Sequence, residues 1–79
     1  MPTVLYTEGI EVWIYVDDPD KVIHCFDPNL NELTLSMDTL SIVARDDGIT
    51  DDFVRRVARG VRHNLGHIIN RWKEINPAD

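Results

Sequence analysis

The sequence predicts an α+β fold, a three- or four-stranded antiparallel meander packed by one long C-terminal helix. Three observations predict it. Apolar residues recur with period two through the first half of the chain and with period 3.6 from residue 50 onward. The clusters between the period-two segments are short and rich in Asp, Pro and Asn, which suits hairpins. Charge divides at the same place: residues 1–52 hold twelve acids and two bases, and residues 53–79 hold six bases and two acids, within a net charge of −6.

Residues 10–16 alternate, with Ile10, Val12, Ile14 and Val16 on one face and Glu11, Trp13 and Tyr15 on the other. Asp17-Asp18-Pro19-Asp20 then turns the chain. Residues 21–26 form a second strand, with Val22, His24 and Phe26 opposite Ile23 and Cys25. Asp27-Pro28-Asn29 is the next turn. In 32–37, Leu33, Leu35 and Met37 point inward while Glu32, Thr34 and Ser36 point outward. Leu40 to Ala44 fits either a fourth short strand or a helical turn capped by Asp38, and Asp46-Asp47-Gly48 closes it. Thr50 is placed to cap a helix whose first turn carries Asp51 and Asp52 at the positive end of the dipole. Val54, Val57, Ala58, Val61, Leu65, Ile68, Trp72 and Ile75 follow at spacings of three and four, so the helix runs to about Ile75. Gly60 and Gly66 each weaken it by about 1 kcal/mol and mark Asn64–Gly66 as the place for a bend or break.

A chain of 79 residues is read as one domain with a small core and thin stability, which a second copy or another partner would reinforce. The single cysteine, Cys25, allows no internal disulfide and suits a reducing cytoplasm. No apolar run reaches the length of a membrane span, and the N-terminal residues lack the pattern of a signal peptide. The acidity weighs against nucleic-acid binding except through the basic helix.

No motif for catalysis, metal or cofactor emerges. His63 and His67, four apart, come nearest to a metal pair, but no further Glu or Cys ligand stands at the necessary spacing, so no metal or cofactor is expected. His24 and Cys25 are adjacent on a strand and point to opposite faces, which excludes direct activation of the thiol by the imidazole. Arg55, Arg59 and Arg62 form a stripe at i, i+4 and i+7, with Arg56 beside it; it reads as a docking edge for an acidic or phosphate-bearing partner or as a solvated helix face. Trp13 and Tyr15 read as interface anchors if the helix covers the aliphatic side of the sheet, with Glu11 and Asp17 beside them, and as core if the faces are reversed.

Met1-Pro2-Thr3-Val4-Leu5, then Gly9 and an aromatic-bearing strand, then Met37-Asp38-Thr39-Leu40, then Asn64, Ile68 or Ile69, Trp72 and Glu74 make up a further pattern. In these residues the chain resembles, over nearly its whole length, the small bacterial family called domain of unknown function 4160. That family's hallmark is a Pro-Pro-His-x-His segment. Here the segment reads Lys21-Val22-Ile23-His24-Cys25, which lacks both prolines and keeps only the second histidine, His24. The resemblance implies a genomic setting, near toxin–antitoxin-like genes and in mobile elements, rather than a mechanism. The expectation is a small, non-enzymatic, protein-binding regulatory module of such a system, contacting another protein or a second copy of itself. A phage-borne inhibitor that blocks a host defence complex with an acidic surface is the alternative. A ribonuclease-type toxin using His24, His63, His67 and the arginine stripe is the third reading.

Overall fold

The computed structural model describes residues 3–15 and 19–76. It is α+β, with five strands, β1 (Thr3–Thr7), β2 (Ile10–Trp13), β3 (Val22–Phe26), β4 (Glu32–Ser36) and β5 (Ile42–Arg45), followed by α1 (Asp51–His63) and α2 (Leu65–Ile75). The strands form one antiparallel sheet in chain order, β1-β2-β3-β4-β5. The expected meander is present but has five strands rather than three or four. β1 escaped the sequence reading and β5 was only one of two alternatives for Leu40 to Ala44, for one physical reason. Each carries an irregular register, with Val4 inserted in β1 and Val43 inserted in β5. An inserted residue breaks period two, so Val4-Leu5 reads as an undirected apolar run and Leu40 to Ala44 leaves a strand and a helical turn both open.

The three inner strands follow their alternation. Ile10, Val12 and Ile14 are buried, as are Ile23 and Cys25 of β3 and Leu33, Leu35 and Met37 in and just after β4. The helices supply Phe53, Val57, Val61 and Ile68 to the same core. Burying each of these aliphatic or aromatic side chains contributes about 1.5–3 kcal/mol. Ala58, expected on the inner stripe, is exposed, and Phe53 and Ile49 take up core positions instead. The inward position of Val16 and the partner-facing position of Asp17 lie outside the described residues.

The single long helix is corrected to two, joined at Asn64. Thr50 caps the first as its residue type suggests, accepting from Phe53 N–H at 3.0 Å. At the junction the Asn64 side-chain amide and backbone N–H both donate to the Gly60 carbonyl, at 2.8 and 3.1 Å. A short amide side chain that bonds its own helix backbone competes with continuation of the helix, and the flanking glycines weaken resistance to it. None of the described helices is long and apolar enough to cross a membrane.

Candidate functional site

Both helices pack on the aliphatic side of the sheet, so alternation leaves the other face open. Register then decides which side chains meet there. Trp13 lies opposite His24, which lies opposite Thr34; Glu11 lies opposite Phe26, which lies opposite Glu32. Trp13 packs against Phe26 with ring centroids 4.8 Å apart at 51°, and Tyr15 stacks on His24 at 4.1 Å and 27°. All four residues are partly buried, the His24 side chain keeping 13% of its exposure.

Polar contacts hold two of the rings, Trp13 and His24. The Trp13 indole N–H donates to the Glu11 carboxylate, which also accepts from Thr3 Oγ1 at 2.9 Å. His24 donates from Nδ1 to Glu32 Oε2 at 2.7 Å, and the Thr34 hydroxyl donates to the same oxygen at 2.7 Å. Burial resists ionisation of Glu32, but the hydrogen bonds from His24 and Thr34 and the His24 charge outweigh it and hold the carboxyl below the ordinary range. Burial, and then the Glu32 charge, push the Tyr15 phenol up. The result is a row of aromatic rings in which carboxylates hold Trp13 and His24, against which Phe26 and Tyr15 pack, and this favours binding because less side-chain freedom remains to be lost. Tyr6, 70% exposed, extends the row beyond Glu11.

The sequence-predicted residues divide between two sides of the molecule. Trp13, Tyr15 and Glu11 lie together on the open face. Arg55, Arg59 and Arg62 lie on α1, where with Ala58 and His63 they line an open depression of about 420 Å³. Arg55 and Arg59 make only long, exposed ion pairs, to Asp52 at 3.7 Å and to Glu8 at 3.8 Å. Arg56 is set apart from the stripe; it reaches the Glu8 carbonyl at 3.3 Å and Asp52 at 3.3 Å. His67 does not join His63 in a metal pair: its Nε2 donates to the Val4 carbonyl at 2.9 Å, whereas His63 closes α1 on the depression. Among the described residues, no three His, Cys, Asp or Glu side chains gather as a metal-binding set. His24 stands on the sheet face away from the helices, so it is not brought together with His63, His67 or the arginines. Cys25 points into the core, where burial, and then the Glu32 charge, push its thiol up to about 12.

Sequence reasoning missed Phe26 and the His24–Glu32 pair as parts of this face. Their alternation was visible, but only the strand register sets Phe26 beside Glu11 and His24 beside Trp13.

Comparison with protein-family models, curated proteins and solved structures finds no match. The functional reading therefore rests on the geometry and on the residues themselves.

Proposed function

We propose that the chain is a small, non-enzymatic regulatory module that binds another protein through the open sheet face around Trp13 and Tyr15. Its setting on this reading is a toxin–antitoxin-like or mobile-element system. The observation that carries the proposal is the pre-set aromatic row, Trp13, Phe26, His24 and Tyr15, on the one face of the sheet that no element of the described chain covers. Half-buried aromatic side chains with a fixed polar end make strong anchors at protein interfaces, because they carry large apolar area with few torsions to freeze. The chemistry of the face fits binding rather than turnover. Its histidine and carboxylate already satisfy each other, Thr34 donates to Glu32 rather than to His24, and the thiol next to His24 faces inward.

The test compares tagged wild type with a Trp13→Ala/Tyr15→Ala variant, each expressed in the source cells. One protein should co-purify in constant ratio with the wild type and be lost with the variant. Trp13→Phe/Tyr15→Phe, which keeps the rings, should recover it. Far-ultraviolet circular dichroism establishes that the alanine variant is folded. Retention of the same partner by that folded variant would refute the reading. A reaction product that disappears with His24→Ala while the partner still binds would refute its non-enzymatic part.

A further inference from the structure

The open sheet face has a charge order of its own. Register sets Tyr6, Glu11, Phe26 and Glu32 side by side across β1, β2, β3 and β4. Neighbouring strands lie about 4.8 Å apart, so ring, carboxylate, ring and carboxylate alternate along one row, with the two acids on either side of Phe26. Each carboxylate uses one oxygen within the chain. Glu11 Oε2 accepts from Trp13 and Thr3, and Glu32 Oε2 accepts from His24 and Thr34. Among the described residues, neither Oε1 receives a donor, and the Glu32 side chain keeps 31% of its exposure. No Lys or Arg shares this face. Lys21 turns to the helices, its ammonium 5.1 Å from the Trp72 ring centroid, and Arg45 turns to the Ile49 carbonyl and Asp51. The other six bases stand on α1 and α2.

We infer that the partner presents arginine to this row: a basic segment whose guanidinium groups stack on the Tyr6 and Phe26 rings and donate to the free oxygens of Glu11 and Glu32. The inference rests on the protein-binding reading of the face and names the chemistry of what binds there. Charge decides the occupant. A neutral, apolar partner would strip water from two carboxylates and leave their free oxygens unpaired, which is costly. An acidic partner would meet like charge. A cationic partner offsets the desolvation and gains a ring at each step of the row. Arginine suits the row better than lysine, because one planar fork can stack on a ring and donate sideways to a carboxylate, whereas an ammonium is a compact, strongly hydrated point charge.

Blocked pentapeptides of alternating Arg and Leu, Lys and Leu, or Glu and Leu test this without the partner. Each is titrated into ¹⁵N-labelled protein and followed by nuclear magnetic resonance. The arginine peptide should move the Trp13 indole signal and the amides of Tyr6, Glu11, Phe26 and Glu32. The lysine peptide should bind about threefold or more weakly, and the glutamate peptide should leave these signals in place. Glu11→Gln/Glu32→Gln, which keeps an acceptor for each internal donor, should weaken the arginine peptide about tenfold. Tyr6→Ala, an exposed change that should leave circular dichroism unaltered, should weaken it about threefold. Equal binding of the arginine and lysine peptides, shifts confined to the acids of residues 46–52, or unchanged affinity in the folded Gln variant would each overturn the inference. The co-purified partner separates this inference from the reading beneath it. Its affinity for wild type should fall as salt rises. A partner lost with Trp13→Ala/Tyr15→Ala but held equally by the Gln variant overturns the arginine contact and leaves protein binding at this face standing. A partner kept by both variants, with the arginine peptide still on the row, refutes the protein-binding reading and leaves the guanidinium preference standing.

Discussion

Adding one methyl group at Gly60 tests how the helices sit on the sheet. Gly60 is buried inside α1, and a Cβ there would lie 3.6 Å from Thr7 Cγ2 and 3.7 Å from Ile10 Cδ1. Those are ordinary van der Waals separations, so the methyl fits without displacing anything. Alanine is favoured over glycine in a helix interior by about 0.8–1.0 kcal/mol. Burying one methyl against two apolar neighbours adds at most about 0.8 kcal/mol. Gly60→Ala should therefore stabilise the fold by about 1–2 kcal/mol, which for a domain of this size raises the thermal midpoint by roughly 4–8 °C per kcal/mol. Urea unfolding followed by circular dichroism should show a higher midpoint at an unchanged m-value. Gly48→Ala is the control of opposite sign: its Cβ would stand 2.6 Å from Asn31 Oδ1. Asn31 cannot give way freely, because its amide donates to Asp27 at 3.0 Å. A lowered midpoint for Gly60→Ala would mean that α1 lies closer to β1 and β2 than these distances allow, and the argument would fail.

Two further outcomes follow from the charges. Glu32 has a folded-state pKa below its unfolded value, so its contribution to stability is present above the unfolded value, about 4.3, and is lost as pH falls through the lower folded one. Urea midpoints measured from neutral pH down into the acid range should fall less steeply for Glu32→Gln than for wild type, and superimposable curves would contradict the His24–Glu32–Thr34 contacts. The Arg55→Glu/Arg59→Glu/Arg62→Glu variant should melt close to wild type, since exposed ion pairs as long as those of Arg55 and Arg59 are worth about 0–1 kcal/mol each. Its affinity for the co-purified partner, measured at low and high salt, separates a docking edge (weakened at low salt) from a solvated face (unchanged at both).

The parts of the fold legible in the sequence are those where one residue type repeats at one period. The inner strands announced themselves because Ile10-Val12-Ile14 and Leu33-Leu35-Met37 alternate without interruption. The helix start was legible because Thr50 is a capping residue followed by two aspartates. The edge strands were less so: β1 did not show, and β5 showed only as one alternative for Leu40 to Ala44, because an inserted valine in each destroys the alternation. The break at Asn64 was marked only by its glycines; the back-bonded amide that makes it depends on a rotamer. Period two alone puts Trp13 and Tyr15 together on the face opposite Ile10, Val12 and Ile14, but leaves open which face is the outer one. Their ring partners could not be read that way, because Phe26 and His24 come beside them through cross-strand register, which is set by hairpin geometry rather than by any one strand's composition.

The chain-order meander also has a consequence for how the molecule forms. Every strand pairs with its sequence neighbour, so the whole sheet can assemble hairpin by hairpin from local contacts. The contacts that cross the sequence, Arg56 with Glu8, His67 with Val4 and Asn76 with Tyr15, all need residues that are synthesised after the five strands. Until residues 53–72 are synthesised and docked, Ile10, Val12, Ile23, Leu33 and Leu35 form a bare aliphatic surface with an open strand edge at each side. That interval is when a nascent chain is most exposed to aggregation. Substitutions in β3 or β4 should act mainly on how fast the sheet appears. Those at Val57, Val61 or Ile68 should act on how long its sticky face stays uncovered, and so on the yield of recovered protein more than on the rate at which strands form.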